Sequence, residues 1–328
     1  MVSGRRRLRW SGLDSRLLEY FVAVAECGSF TKAAEKLHIA QPSLSQAIHR
    51  LENECGTPLF HRTSRKVVLS QPGEQLLGAA RRVLHDIEVA RSSIAAVRGL
   101  HKGTIAVAVP PSFSVVPTAA LVGTFARAHP HVRVSLLPVP SSAAAIEAVL
   151  DTRCELAITD GREASLRTHP IGRSEMVLIA PPDSDLADRT EVDRSELAKR
   201  PFVSNVAGTM SRAVLDEMVD EVGVEVVVDS PHQHAVIPLV AESLGYGLLP
   251  TSFAREAERR GLAVLSLSPR IAMTITLVHR DEPLTPAAEE FVTTAVRTPA
   301  AGEWAGPARV ATPASRPRRG SRTVRGTR

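Results

Sequence analysis

The chain has 328 residues, a formal net charge of +5 and three cysteines. This length suits two or three folding units, so neither disulfides nor a metal is needed to complete a core. The cysteines Cys27, Cys55 and Cys154 form no pair at metal-binding spacing, and we expect them to be reduced in the cytoplasm. No stretch of about 18 apolar residues predicts a membrane span, and the basic N-terminus lacks the apolar core of a signal peptide.

The charge is distributed unevenly along the chain. Residues 1–66 carry 11 Lys and Arg against six Asp and Glu, and residues 299–328 carry seven Arg against Glu303 alone. The residues between these segments are therefore acidic overall. Basic ends around an acidic middle indicate a polyanionic partner at one end, although arginines in solvated tails would give the same balance.

Residues 13–70 predict three helices followed by a hairpin. A first helix with apolar periodicity ends near Cys27, and Ser29 is placed to cap a short second helix over residues 30–37. Pro42 suits the first turn of a third helix. The apolar face of that helix carries Leu44, Ala47, Ile48 and Leu51, and the opposite face is polar. Residues 57–70 alternate short extended runs around a basic turn, which is typical of a hairpin wing.

A long helix is predicted from Gln71 to about Arg98. Its apolar residues recur alternately four and three positions apart: Leu76, Ala80, Val83, Ile87, Ala90, Ile94 and Val97. This spacing is a heptad seam, and a single helix cannot bury such a stripe by itself. Dimerisation is therefore the favoured interpretation, and packing against its own chain is the alternative.

The rest of the chain shows a different pattern. From residue 103 to about 298, strands alternate with helices, which predicts an α/β region with a parallel, doubly wound sheet. Residues 299–328 are rich in Pro, Gly, Ser and Arg and predict a disordered basic tail. Such a tail would add nonspecific affinity for a polyanion by releasing counterions, a hypothesis that charge alone does not decide.

The segment from Phe30 to Leu77 resembles the DNA-binding region of LysR-type transcriptional regulators almost position for position. The resemblance rests on the runs AAEKLHIAQPSLSQAIHRLE, GTPLFHR and LSQPGEQLL. It implies a mixed fold with an all-α winged helix-turn-helix DNA-binding domain, a dimerising linker helix and an α/β two-lobed effector domain like type-II periplasmic binding proteins. The expected bounds are 13–70, 71–99 and 103–298, with lobe one at about 103–165 and 268–298 and lobe two at about 166–267.

The third helix would then be the recognition helix that enters the major groove. Its exposed side chains must offer hydrogen-bond donors and acceptors to base edges. The candidates are Gln41, Ser43, Ser45, Gln46 and His49. Gln46 points farthest from the apolar face and is the best candidate for a base contact, with adenine as a suitable partner. Ser29, Thr31 and Arg50 suit phosphate contacts, and Arg62, Thr63 and Arg65 suit backbone or minor-groove contacts at the wing tip.

The resemblance also implies a small-molecule effector between the two lobes. Loops that leave strand ends and helix N-termini bind polar ligands in such domains. The candidates are Ser112, Ser114, Ser141, Thr209 and His234, with a small carboxylate or another polar metabolite as the ligand. The alternative is that these residues only cap helices, because Ser and Thr favour N-caps regardless of any ligand.

The expected partners are a double-stranded DNA operator, the effector, a homodimer or homotetramer, and RNA polymerase if the chain activates transcription. No cofactor, metal, catalytic residue or membrane is expected. A periplasmic solute-binding protein and an enzyme are the alternatives, but no GxSxG, GxxxxGK[ST] or HExxH motif is present. His232 and His234 lack a third metal ligand nearby in sequence. Redox sensing by a disulfide is disfavoured because Cys154 stands alone in the effector region.

Overall fold

The computed structural model describes residues 14–62, 67–97 and 103–298, without the side chains of Arg62 and Val97. The predicted wing-tip residues Thr63 and Arg65, the side chain of Arg62 and the predicted tail 299–328 therefore lie outside the described residues. The described chain forms two compact units. The first contains the residues up to Arg173, Val206–Val214 and those from Met273 onward, and the second contains Ser174–Asn205 and Leu215–Ala272.

Three helices and a hairpin begin the first unit. They are α1 (Ser15–Cys27), α2 (Phe30–Lys36), α3 (Gln41–Cys55), β1 (Phe60–Arg62) and β2 (Val67–Leu69). We call them together the head.

The helices of the head have clear local start and stop signals. The carboxylate of Asp14 accepts a hydrogen bond from the Arg16 N–H and caps α1, and Ser29 caps α2. Gly28 ends α1 with a φ of 57°, a left-handed conformation that favours glycine. These signals fix where the helices of the head begin and end.

One hydrophobic core holds the head together. Phe21, Leu44, Ile48 and Leu51 have no exposed surface. The hairpin pairs its strands antiparallel and contributes Phe60, whose ring centroid lies 5.3 Å from that of Phe21. The apolar face of α3 is therefore buried inside the head, and its polar face is left outside.

Helix α4 (Gln71–Val97) follows the hairpin directly. The Ser70 hydroxyl donates to the Pro58 carbonyl and accepts from the Gly73 N–H, at 2.7 and 3.2 Å. A Cβ atom at Gly73 would lie 2.2 Å from the Leu59 carbonyl oxygen. Glycine is therefore required in the first turn of α4, because any side chain would collide with the hairpin.

The predicted seam of α4 divides into two parts. Ala80 is almost fully buried in the core of the head, and Leu76 packs against that core. Farther along the helix, Val83 and Ile94 are 42% and 67% exposed. The start of α4 thus packs against its own chain, while the later seam positions leave an apolar stripe in solvent.

From Gly103 onward, strands and helices alternate. In the first part they are β3 (Gly103–Val109), α5 (Thr118–Ala128), β4 (Val132–Pro138), α6 (Ser142–Leu150), β5 (Leu156–Thr159), β6 (Leu166–Ala180), β7 (Glu191–Asp193) and β8 (Pro201–Asn205). The remainder are α7 (Met210–Val222), β9 (Glu225–Ser230), α8 (Gln233–Ala241), β10 (Tyr246–Pro250), α9 (Ala254–Arg259), β11 (Ala263–Ser268), β12 (Ala272–Arg280) and α10 (Pro286–Arg297).

The sheet of the first unit has the strand order β4, β3, β5, β12. Strand β3 runs parallel to β4 and β5, whereas β12 runs antiparallel to β5. Helices α5 and α10 cover the sheet through a core that includes Phe125 and Phe291, whose ring centroids lie 5.1 Å apart. The three parallel strands bring the loops after β3, β4 and β5 to one edge.

The sheet of the second unit joins the later part of β6 to β10, β8 and β9 in that order. Strands β8, β9 and β10 are mutually parallel, but β6 runs antiparallel to β10 and to β11. The predicted parallel, doubly wound arrangement therefore also contains antiparallel pairings, which β6, β11 and β12 make. Within residues 14–62, 67–97 and 103–298, no helix has the length and hydrophobicity that a membrane crossing requires.

Candidate functional site

The polar face of α3 is the first candidate site. Gln41, Ser43, Gln46 and His49 are exposed, and Ser45 is partly buried. The opposite face is locked in the head core, so these side chains are held outward by the packing of Leu44, Ile48 and Leu51. The helix can therefore present amide, hydroxyl and imidazole groups to the edges of bases without exposing apolar surface.

An open recess of about 630 Å³ lies between α3 and the hairpin. Its lining residues are Ser45, Gln46, His49, Glu52, Pro58, Phe60 and His61. The carboxylate of Glu52 accepts from the backbone N–H groups of Leu59 and Phe60, at 2.9 and 3.3 Å. Glu52 thus fixes the position of the hairpin relative to α3, a role that the sequence did not reveal.

The predicted phosphate contacts lie around the same surface. Ser29 accepts a hydrogen bond from the Lys32 N–H at 3.4 Å, so part of its polar capacity serves the cap of α2. Thr31 is exposed. Arg50 is also exposed, and its Nε lies 3.0 Å from a Glu54 carboxylate oxygen. An exposed pair of this kind is weak, so Arg50 remains available to a phosphate.

The second candidate site lies at the edge where β3, β4 and β5 end. Ser112 follows β3 and is buried, Ser141 follows β4, and Asp160 follows β5. A Cβ atom at Gly208 would lie 4.0 Å from the Cβ of Ser141, which places the segment before Thr209 beside the same edge. The fold of the first unit therefore brings four of the five predicted effector contacts into one region: Ser112, Ser114, Ser141 and Thr209.

Several of these hydroxyls already have backbone partners. Ser141 caps α6 by accepting from the Ala144 N–H at 3.1 Å, and Ser114 donates to the Pro111 carbonyl at 2.8 Å. Thr209 donates to the Val206 carbonyl and accepts from the Arg212 N–H, at 3.1 and 3.4 Å. Capping is thus a real function of these residues. The Ser141 hydroxyl only accepts and can still donate to a ligand, whereas Ser114 and Thr209 already donate their hydroxyl hydrogen and can only accept from a ligand in this arrangement.

The carboxylate of Asp160 also belongs to this edge, and the sequence did not single it out. It accepts a hydrogen bond from the Ser142 hydroxyl in the first turn of α6. A Cβ atom at the next residue, Gly161, would lie 2.8 Å from a methyl group of Ile146, so the loop after β5 packs tightly on α6. An Asp-Gly pair directly after a strand is the signal that could have revealed this loop.

His234 lies in the second unit, near the start of α8. Its ring is exposed and meets Phe253 edge to face, with centroids 5.5 Å apart. Among residues 14–62, 67–97 and 103–298, no group of three or more His, Cys, Asp or Glu is placed to hold a metal ion.

The single cysteine of the effector region is also placed for structure. Cys154 is 5% exposed, and burial is the main cause that raises the pKa of its thiol to about 11. A thiol with this pKa carries almost no thiolate at neutral pH and is a poor nucleophile.

Comparisons with known proteins agree with this geometry. Residues 15–74 match the family described as "Bacterial regulatory helix-turn-helix protein, lysR family", and residues 98–299 match the "LysR substrate binding domain". The chain belongs to the LysR family of bacterial transcriptional regulators. The predicted fold class, a winged helix-turn-helix domain joined by a long helix to an α/β effector domain, is thereby confirmed.

Individual relatives support the same assignment. The "SDS degradation transcriptional activation protein" of a Pseudomonas species is 32% identical over 289 residues, which cover 84% of this chain and 93% of that protein. A full-length OxyR variant from Pseudomonas aeruginosa has a TM-score of 0.72 at 20% identity and covers 88% of this chain and 95% of its own. CbnR in complex with its target DNA has a TM-score of 0.60 at 21% identity and covers 87% and 99%. These two structures support the fold of this LysR-family regulator.

Proposed function

We propose that this LysR-family regulator reads a double-stranded operator with the polar face of α3 and holds its effector at the ends of β3, β4 and β5. The observation that carries the proposal is the division of α3 into an apolar face buried through Leu44, Ile48 and Leu51 and a polar face that is mostly exposed. A helix with this division can enter the major groove as a rigid reader, because its packing sets the direction of every polar side chain.

The proposed DNA contacts fall into two classes. Gln41, Ser43, Ser45, Gln46 and His49 meet base edges, and Ser29, Thr31, Arg50, Arg62, Thr63 and Arg65 meet the backbone or the minor groove. The net positive charge of residues 1–66 supplies attraction that does not depend on sequence. The domain bounds that we propose remain 13–70 for the head, 71–99 for the linker and 103–298 for the effector domain.

The proposed effector site uses Ser112, Ser114, Ser141 and Thr209 of the first unit, together with His234. Hydroxyl groups and the first turn of α6 suit a small polar metabolite, including a carboxylate. We further propose that the regulator acts as a homodimer or homotetramer, that it works in the cytoplasm where its operator lies, and that it catalyses no reaction. The exposed stripe of Val83 and Ile94 on α4 supports self-association.

Replacing Gln46 with Ala tests the reading function. The test duplex is one that the full-length protein selects from a random library. Loss of a bidentate base contact should weaken binding to that duplex by about 1 to 3 kcal/mol and leave binding to random DNA unchanged. A titration by fluorescence anisotropy at fixed salt measures both affinities.

The matched control is Gln75→Ala, which removes an exposed glutamine from α4 rather than α3. It should bind both duplexes like the wild type. If Gln46→Ala also bound both duplexes like the wild type, Gln46 would not read a base.

A further inference from the structure

Arg81 on α4 occupies an unusual position for an arginine. Its side chain is only 11% exposed. One terminal nitrogen donates to the Asp151 carbonyl at 3.4 Å, and the other lies 3.5 Å from a Glu26 carboxylate oxygen. The Nε atom is buried and has no hydrogen-bond partner among the described residues. A buried guanidinium is stable when all of its N–H groups have hydrogen-bond partners. Arg81 has only two such contacts here, and both are near the outer limit of hydrogen-bond length.

The Glu26 contact connects Arg81 to the DNA-reading surface. Glu26 lies near the end of α1, and its other carboxylate oxygen accepts from the Lys36 ammonium at 3.1 Å. Lys36 is the last residue of α2, which contacts α3 and contributes Ala33 and Ala34 to the head core. Arg81 and Lys36 therefore share one carboxylate, and a change at Arg81 alters the anchor of the helix that precedes α3.

The Asp151 contact connects Arg81 to the proposed effector site. Asp151 is the C-cap of α6, and the same helix begins at Ser142 after the cap residue Ser141. This helix has nine residues and spans about 14 Å at 1.5 Å per residue, so its backbone hydrogen bonds connect the first turn directly to the last. A ligand that shifts the first turn of α6 therefore also shifts the carbonyl that Arg81 holds.

We infer that Arg81 is the positioning residue through which the effector site and the DNA-reading head are coupled. The inference rests on the proposed function, because it assumes a ligand at the start of α6 and DNA at α3. With α6 in place, Arg81 contacts both the Asp151 carbonyl and Glu26, and Glu26 also keeps its contact with Lys36. When α6 moves away, Arg81 loses the Asp151 carbonyl, contacts Glu26 more closely and weakens the contact between Glu26 and Lys36. The two arrangements differ by one hydrogen bond.

Coupling between two sites is reciprocal, so DNA bound at the head must also act on α6. This consequence can be tested without knowledge of the effector. The probe is a duplex selected from a random library by the full-length protein. Amide hydrogen exchange, followed by mass spectrometry, reports on residues 142–154 with and without this duplex. The variants are Arg81→Met, Glu26→Gln and the control Arg82→Met, whose arginine is the exposed neighbour of Arg81.

In the wild type and in Arg82→Met, DNA should change the exchange of these amides by roughly fivefold or more. In Arg81→Met the change should vanish while the affinity for DNA stays within about twofold, a size well below a coupling effect. Arg81→Met should fold, because Glu26 keeps Lys36 and methionine fills the same space. Glu26→Gln breaks the chain of contacts at its other end and should give the same loss, whatever the stability of Arg81→Met.

Two results would overturn the inference. The first is a DNA-induced change in residues 142–154 that persists in Arg81→Met or in Glu26→Gln. The second is a wild type that binds the duplex with no change in these residues. In both cases the proposed function stands, because DNA is still bound. A wild-type protein that binds no duplex in preference to another would instead remove the proposed function, and the coupling with it.

Discussion

At the scale of single residues, a histidine pair in the first unit shows how neighbours set protonation. The Nε2 atoms of His169 and His279 lie 3.0 Å apart, and the rings are nearly parallel. His279 Nδ1 lies 2.7 Å from the Arg280 carbonyl oxygen, so Nδ1 carries a proton and donates it there. The Nε2 of His279 can then accept a hydrogen bond from the Nε2–H of His169.

This pair predicts a loss of stability in mild acid. Burial, followed by the charges of His279 and Arg167, lowers the pKa of His169 below its ordinary value of 6.5. The unfolded chain then binds the proton more readily, so the stabilisation is complete above about pH 6.5 and is lost as the pH falls below it. The melting temperature should drop between about pH 7.5 and about pH 5.5, and it should drop less in His169→Gln.

Differential scanning fluorimetry of the two proteins checks this expectation, with His131→Gln as the control because His131 is an exposed histidine. The control should follow the wild type at every pH. An identical pH dependence in wild type and His169→Gln would show that the pair does not titrate during unfolding.

The site residues divide into those that a local pattern can reveal and those that it cannot. Gln46 was predictable, because its spacing from Leu44, Ile48 and Leu51 places it on the outer face of α3. Glu52 and Arg81 were not, because their partners lie seven or more positions away in sequence. Contacts of this kind depend on how folded elements meet, which helical periodicity does not encode.

At the scale of elements, helix α4 combines two kinds of packing that the sequence presents as one seam. Its first turns complete the head core, and its later turns expose Val83 and Ile94. The sheets show a similar gap between pattern and structure. The alternation of strands and helices does not tell which strands become neighbours, and β12, from near the end of the described chain, lies between β5 and β6 and runs antiparallel to β5.

Replacing Ile94 with Glu should weaken self-association. If the exposed stripe of α4 meets its copy in a second chain, the new carboxylate must be buried without a partner. The dissociation constant of the dimer should rise by at least about tenfold, as measured by analytical ultracentrifugation. Ser93→Glu adds the same charge next to the seam and should leave the constant unchanged. A tighter or unaltered dimer in Ile94→Glu would place the interface elsewhere.

The link between α3 and the hairpin gives a second prediction at this scale. Glu52→Ala leaves two partly buried backbone N–H groups without an acceptor, which should cost about 1 to 3 kcal/mol of stability. The hairpin should become mobile relative to α3, and DNA affinity should fall with the melting temperature. Glu52→Gln keeps a carbonyl acceptor and should recover most of both. If Glu52→Ala bound DNA and melted like the wild type, Glu52 would not hold the hairpin against α3.

At the scale of the whole molecule, the order of domains was readable from the sequence because the head carries a dense motif. The effector region was predictable as alternating strands and helices, but the contact between Asp151 and Arg81 was not. That contact joins an element of the effector domain to the linker, 70 positions apart. The distribution of charge is also a property of the whole chain, since both ends are basic and the residues between them are acidic overall.

A competition measurement with the full-length protein tests whether α3 reads base sequence, at about 150 mM salt, where nonspecific attraction is reduced. Duplexes are selected from a random library over several rounds of binding. The most enriched duplex then competes with unselected DNA of equal length for binding to the protein. We expect the selected duplex to bind about a thousandfold more tightly than the competitor, in the range of specific regulators. Equal binding of the two duplexes would contradict the claim that α3 reads base sequence.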